Sequence, residues 1–160
     1  MASNWTGILA EPGQIWHKKL MENRPNAQID KNLVWSQSDE TLLFYQNRSP
    51  EFSGLNFAQV DSREANILGK ARSYPVTTIS LNDLLQKHNA PHHIDFLSID
   101  TEGTEYDILS SLDFDKWVFS IICVEHNYSK TRDLILHLLK KNGYCRIYED
   151  ISCWDDWYVK

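Results

Sequence analysis

The sequence predicts an α/β fold: a three-layer domain built on a mostly parallel sheet, with an antiparallel edge at its C-terminal end. Three observations predict it. Strand-like apolar runs alternate with segments of helical periodicity, the pattern of βαβ units. Phe119–Val124 is apolar without interruption, as expected of a strand covered on both faces. The last two strand-like segments follow one another across a short turn, which suits an antiparallel edge on such a sheet. The chain has 160 residues, the size of one domain spanning 1–160, and a chain of this size buries roughly 68–70% of the surface it exposes when unfolded.

The elements follow in order. Gly7–Ala10 is a short apolar strand stopped by Glu11-Pro12-Gly13. A helix over Ile15–Glu22 ends before Pro25, whose ring forbids continuation. Gln28–Trp35 reads as one strand, and Asp39-Glu40 as a turn into a strand over Leu42–Tyr45. Gln46–Tyr74 lacks periodicity and reads as a long loop, with room for one short strand. A loop of that length suits a substrate lid as well as a plain surface excursion. Val76–Ile79 is strand-like, and Ser80-Leu81-Asn82-Asp83 forms a capping box opening a helix through Leu85. Ile94–Ile99 is a strand delivering Asp100. Thr104 caps the next helix with Asp107 reaching back, and Tyr106, Ile108, Leu109 and Leu112 form its apolar side. Phe119–Val124 ends at Glu125. Ser129 caps a helix over Lys130–Asn142 with an apolar stripe of Leu134, Ile135, Leu138 and Leu139, stopped by Gly143. Tyr144–Tyr148 and Trp154–Val159 are the closing strands.

Composition narrows the function. The net charge is −6, and the basic residues are scattered apart from the pairs Lys18-Lys19 and Lys140-Lys141. A nucleic-acid groove needs a clustered basic face, so no nucleic-acid partner is expected. No apolar run approaches the ~20 residues of a membrane span, so no membrane partner is expected. Three cysteines without CxxC spacing read as reduced thiols of a cytoplasmic protein, with Cys123 in the core. A small neutral or cationic substrate, or a sugar, fits this charge balance.

Chemistry-bearing residues gather at strand ends. In open parallel sheets ligands bind beyond the carboxyl ends of the strands, and three predicted strands end in acids: Ala10-Glu11, Ile99-Asp100-Thr101-Glu102 and Val124-Glu125-His126. Glu11 is placed to accept both hydroxyls of a ribose. Asp100, Glu102 and His126 are the catalytic candidates. Asp100 and His126 form the acceptor end, while Glu102 also suits a structural role, bracing the turn before Gly103. The competing reading for Asp100, Glu102 and Glu105 is the capping of a helix N-terminus, and His126 also suits a loop-orienting role. Asp100, Glu125 and His126 together offer oxygen and nitrogen ligands to a divalent metal.

The runs Trp5–Pro12, Leu20–Asn26 and Ile94–Leu109, above all Ile99-Asp100-Thr101-Glu102-Gly103, resemble the FkbM-type methyltransferases, as do Val124-Glu125-His126, Asn142-Gly143-Tyr144 and Asp156–Lys160. The resemblance implies a class I, Rossmann-like methyltransferase sheet that binds S-adenosylmethionine and methylates a hydroxyl of a sugar or polyketide-like small molecule. It implies that Glu11 holds the cofactor ribose, that Trp35 and Ser36 lie near its adenine, and that Asp100 and Glu102 face its methionine end and the acceptor. The family's first strand and glycine-rich loop belong before Trp5, where only four residues stand. The fold is therefore expected to be N-terminally truncated, with a gap beside Ile94–Ile99 that is filled either by self-association of the chain as a homo-oligomer or by rearrangement of the N-terminal segment. A non-catalytic interaction module of the same fold and a metal-dependent hydrolase are the competing functions.

Overall fold

A computed structural model describes residues 5–55 and 72–160. The first segments form β1 (Gly7–Ala10), α1 (His17–Asn23), β2 (Ala27–Asp30), β3 (Leu33–Trp35) and β4 (Thr41–Gln46), followed by a 3₁₀ turn at Pro50–Phe52. Then come β5 (Arg72–Ser80), α2 (Leu81–Lys87), β6 (His93–Ile99), α3 (Glu105–Ser110), β7 (Val118–Glu125), α4 (Arg132–Lys141), β8 (Cys145–Ile147) and β9 (Asp155–Val159). The α/β class is as predicted. The predicted single, mostly parallel, three-layer sheet is not confirmed: the described strands make three sheets, the parallel pair β1-β2 and the mixed sheets β3-β5-β4 and β6-β7-β9-β8. Parallel ladders join β1 to β2, β3 to β5 and β6 to β7, while β4–β5, β7–β9 and β8–β9 are antiparallel.

The predicted strand Gln28–Trp35 is two strands. Asp30, buried at the end of β2, accepts the backbone N–H of Asn32 at 3.0 Å. This Asx turn offers the backbone an alternative to the ladder. The break sends β2 to β1 and β3 to β5. Asp30 also takes Lys87 at 2.7 Å and His88 at 2.8 Å, so the end of α2 is pinned over β2. Burial alone would raise the Asp30 carboxyl, but hydrogen bonds from Lys87, Asn32 and His88 outweigh it and hold the pKa low.

β5 is longer than predicted because Pro75 does not end it. The β3 ladder covers only Thr78–Ser80, so Pro75 lies where β5 pairs with β4 alone and a missing N–H is tolerated. Much of the predicted lid, residues 56–71, lies outside the described residues. Ser80 caps α2 as the sequence predicts: its hydroxyl accepts the Asp83 N–H at 3.1 Å and donates to the Asp83 carboxylate at 2.8 Å. At α4 the cap position falls on Thr131, and Ser129 bonds the Thr131 hydroxyl instead.

The main core lies between the β6–β7–β9 sheet and helices α2, α3 and α4. Phe119, Ile122, Ile108, Leu109, Leu139 and Tyr158 are fully buried there. Of the predicted α4 stripe, Ile135 and Leu139 are buried and Leu138 packs against the core, while Leu134 faces solvent. The opposite face of β6 and β7 is partly open: Phe96 and Ile121, register partners, are 40% and 37% exposed. Cover on both faces of Phe119–Val124 is thus incomplete, and no described strand pairs with the outer edge of β6 or of β1. The last strand is antiparallel to its neighbours, as expected, but it inserts between β7 and β8. The edge strand is β8, which runs in the direction of β7.

One buried charge group holds the C-terminal half together. Asp156 of β9 is 2% exposed and takes Arg132 of α4 through two hydrogen bonds of 2.9 and 2.8 Å. Arg146 approaches to 3.5 Å. Burial would raise the Asp156 carboxyl, and the Arg132 pair holds it below the ordinary range. A bidentate guanidinium–carboxylate pair is geometrically demanding, so it fixes α4 against β9. Removing one partner of a buried pair costs about 3–5 kcal/mol. Asp156→Ala is therefore expected to lose about that much stability in urea unfolding, with Arg132→Lys losing less because one donor remains.

Candidate functional site

The parallel β6–β7 ladder ends on the pair Ile99↔Val124. Asp100, just past β6, and Glu125, the last residue of β7, therefore stand side by side on the same face of the pleat. Glu102 returns to them because the chain turns sharply: Glu102 has φ 58° and Gly103 φ 106°. Carboxylate oxygens of Asp100, Glu102 and Glu125 lie within 4.8 Å of one another. The turn is braced by Glu105, which was expected only to cap the helix. Its buried carboxylate accepts from the Thr101 N–H (2.9 Å), the Thr101 hydroxyl (2.9 Å) and the Gly103 N–H (3.0 Å). Glu105, and not Glu102, thus does the bracing that the sequence assigned to Glu102. Thr104 caps nothing by its side chain, donating instead to the Thr101 hydroxyl.

Crowding sets the protonation of the trio. Desolvation first, then the Asp100 and Glu105 charges, push Glu102 up to about 7. Desolvation and then Asp100, Glu102 and Glu105 push Glu125 up to about 8. Asp100 is raised by desolvation and by Glu105 and Asp155, against a hydrogen bond from Glu125. Near neutral pH a protonated Glu125 therefore donates to an ionised Asp100, and the pair holds one proton between two carboxyls. An all-oxygen trio of this kind could hold a hard divalent cation such as Mg²⁺.

The predicted metal set included His126, and here the structure differs. His126 is 3% exposed and turned inward. Its Nδ1 accepts the Tyr128 N–H at 3.0 Å, so Nε2 carries the proton and stands 3.8 Å from Asp156 Oδ1. Burial lowers its pKa, keeping it neutral. Asp100 and Glu125 come together with Glu102 in its place.

Glu11 ends β1, half-buried, and its carboxylate curls back to accept the Gly13 N–H at 2.6 Å. A Cβ at position 13 would stand 2.6 Å from that oxygen, so a side chain there would displace the Glu11 carboxylate from its present position. Desolvation raises the Glu11 carboxyl against the Gly13 bond. Tyr74 steadies the same turn, accepting the Gln14 N–H at 3.0 Å while donating to Gln46 at 3.0 Å. Trp35 ends β3 with its side chain against Leu33, Phe44 and Tyr74, and Ser36 follows it, partly exposed. Gly54 brings the segment after β4 onto the acid turn, with a Cβ there only 3.3 Å from the Glu102 Cβ. Sequence reasoning missed Asp30, Tyr74, Gly54 and Asp155. Of these, Asp30 and Asp155 left a sequence signal, each an acid inside a predicted strand.

The fold and site define an α/β protein with proton-sharing carboxyls at the carboxyl end of a parallel strand pair. The family model described as "Methyltransferase FkbM domain" matches residues 1–145, and the chain belongs to that family. No curated protein and no solved structure matches it. Among the described residues no helix is long and apolar enough to cross a membrane.

The raised carboxyls make stability depend on pH. An unfolded glutamate titrates near 4.5, whereas folded Glu102 and Glu125 keep their protons to about 7 and about 8. Between those limits the folded chain binds more protons than the unfolded one, so stability falls as pH rises through the window. Glu125→Gln removes one such group. Its melting temperature is expected to exceed the parent's by a few degrees above about pH 8 and to match it near pH 5, as read by calorimetric scans.

Proposed function

We propose that the chain is an S-adenosylmethionine-dependent methyltransferase that methylates a hydroxyl oxygen of a small molecule. The observation that carries this reading is the Asp100–Glu125 pair, proton-sharing and set at the strand ends where such folds bind ligands, in a chain of the FkbM family.

The fit to the cofactor is tested at Glu11. A desolvated carboxylate with a raised pKa, supported by one backbone N–H, gains from two further donors. The two hydroxyls of a ribose supply them, so the residues present fit. Bound there, S-adenosylmethionine supplies a methyl group already activated on a sulfonium. The chain's own residues then have two tasks. The first is alignment, which converts a bimolecular encounter into a positioned one. Glu11 and the turn steadied by Tyr74 serve the donor side. The second is proton removal from the acceptor hydroxyl. Asp100, ionised and solvent-facing, takes that proton. Glu125 tunes Asp100 through their shared hydrogen bond. Glu102, held over the pair by the Glu105 brace, limits water at the acceptor end. His126 acts from the interior, orienting the segment after β7. The hydrolase alternative gains nothing from the family match.

Two measurements test the reading. Titration calorimetry with S-adenosylmethionine is expected to show binding that Glu11→Ala weakens roughly 10- to 100-fold, the loss of charge-assisted hydrogen bonds. Heat absent from the parent chain would favour the non-catalytic module. Asp100→Asn is expected to slow methyl transfer by about 10²–10⁴-fold with cofactor affinity retained. An Asp100→Asn chain turning over at the parental rate would remove Asp100 from the chemistry.

A further inference from the structure

The β7–β9 ladder places Glu125 opposite Asp155. Asp155 also lines a groove of about 370 Å³ with Tyr148, Ile151, Ser152, Trp154 and Trp157. That volume lies within the range of small-molecule sites. The groove therefore opens next to the acid cluster, whose Asp100 feels the Asp155 charge.

Its walls are unusual for a hairpin rim. Trp154 is 60% exposed and Tyr148 58%, yet neither belongs to a loose loop. The Trp154 carbonyl accepts the N–H groups of His126 (2.9 Å) and Asn127 (3.2 Å). Its indole meets Tyr128 edge-on at 5.7 Å, and Tyr128 meets the buried His126 at 5.1 Å. The Arg132 guanidinium lies over Tyr128 at 6.0 Å, so the chain of contacts ends in the Arg132–Asp156 pair. Trp157 is backed from the other side by Phe96, stacked at 6.0 Å. Asn127, Tyr128 and Tyr148 all take left-handed φ values of 38°, 53° and 60° without being glycine. Such positions persist only where the surroundings hold them, and they cluster at ligand sites.

We propose that this groove is the acceptor's ring-binding subsite, in which a neutral, hydroxyl-bearing ring lies on Trp154 and Tyr148 with its rim hydroxyls toward Asp155. The proposal rests on the methyltransferase reading and assigns its acceptor side. Exposed indole and phenol faces held rigid offer apolar area with little ordering cost. Asp155 accepts from hydroxyl donors. The groove residues include no Lys, Arg or His, so a phosphate or carboxylate would meet only a like charge. A ring seated there presents a hydroxyl to the adjoining Asp100–Glu125 pair.

The test is a saturation-transfer NMR titration of the full chain with two probes, methyl β-glucopyranoside and its anionic counterpart, methyl β-glucuronide. The neutral probe is expected to bind the parent. Trp154→Ala should weaken it roughly 3- to 10-fold, about the worth of one ring-face contact, and Trp154→Phe should recover most of that. The glucuronide should bind less well than the neutral probe, and Asp155→Asn should narrow the difference. No binding of the neutral probe to the parent, or equal binding by Trp154→Ala, would overturn the proposal. Calorimetry with S-adenosylmethionine separates the two readings. Cofactor binding with an indifferent Trp154→Ala defeats the subsite alone. Probe binding lost in Trp154→Ala, without cofactor binding, leaves a ring-binding groove and defeats the methyltransferase.

Discussion

Two neighbouring parallel strands, β6 and β7, run in register, and an acid stands at the carboxyl end of each. In water two carboxylates on adjacent strands would simply repel. Here they are partly desolvated, so repulsion is relieved by retaining a proton, and the hydrogen bond from Glu125 to Asp100 follows. Everything around the pair answers to that arrangement. Glu105 ties down the turn that brings Glu102 over the pair, Gly54 leaves space for Glu102, and Gly103 permits the left-handed bend.

The supporting frame is a second charge group of opposite design. Asp156, fully buried, is kept ionised by Arg132, while Glu125, one ladder position away from it on β7, is kept protonated. Paired cations, not burial alone, separate the two outcomes. Arg132, the partner of Asp156, also lies over Tyr128, which packs between His126 and the indole of Trp154. In the proposed reading the interior pair acts by holding the groove rim, with His126 as a positioning residue and Asp100 in the chemistry.

The strands and the acids were legible in the sequence because they are local. Apolar runs ending in Glu11, Asp100 and Glu125 need no partner to be seen, and the Ser80–Asp83 capping box lies within one turn. What escaped depends on distant residues. The break inside Gln28–Trp35 is the Asx turn between Asp30 and Asn32, held in place by Lys87 at the end of α2 and by His88 just after it. The inward turn of His126 follows from the Tyr128 N–H on its Nδ1 and from the bond of its backbone N–H to the Trp154 carbonyl, twenty-eight positions on. The strand predicted over Val76–Ile79 extends back through Pro75 because, beyond the short reach of β3, β5 pairs on one side only. The division into three sheets, two of them mixed, follows from pairing choices that hydrophobic pattern does not specify, since each strand keeps its apolar face in either direction.

The central claim, that the acids at the ends of β6 and β7 share protons near neutral pH, is open to direct observation. A carboxyl-carbon NMR titration of the full chain, with Asp100, Glu102 and Glu125 assigned by substitution, follows each group. The account predicts midpoints near 8 for Glu125 and near 7 for Glu102, with the Asp100 resonance responding to the Glu125 step. Ordinary midpoints near 4 for all three, without mutual response, would contradict it.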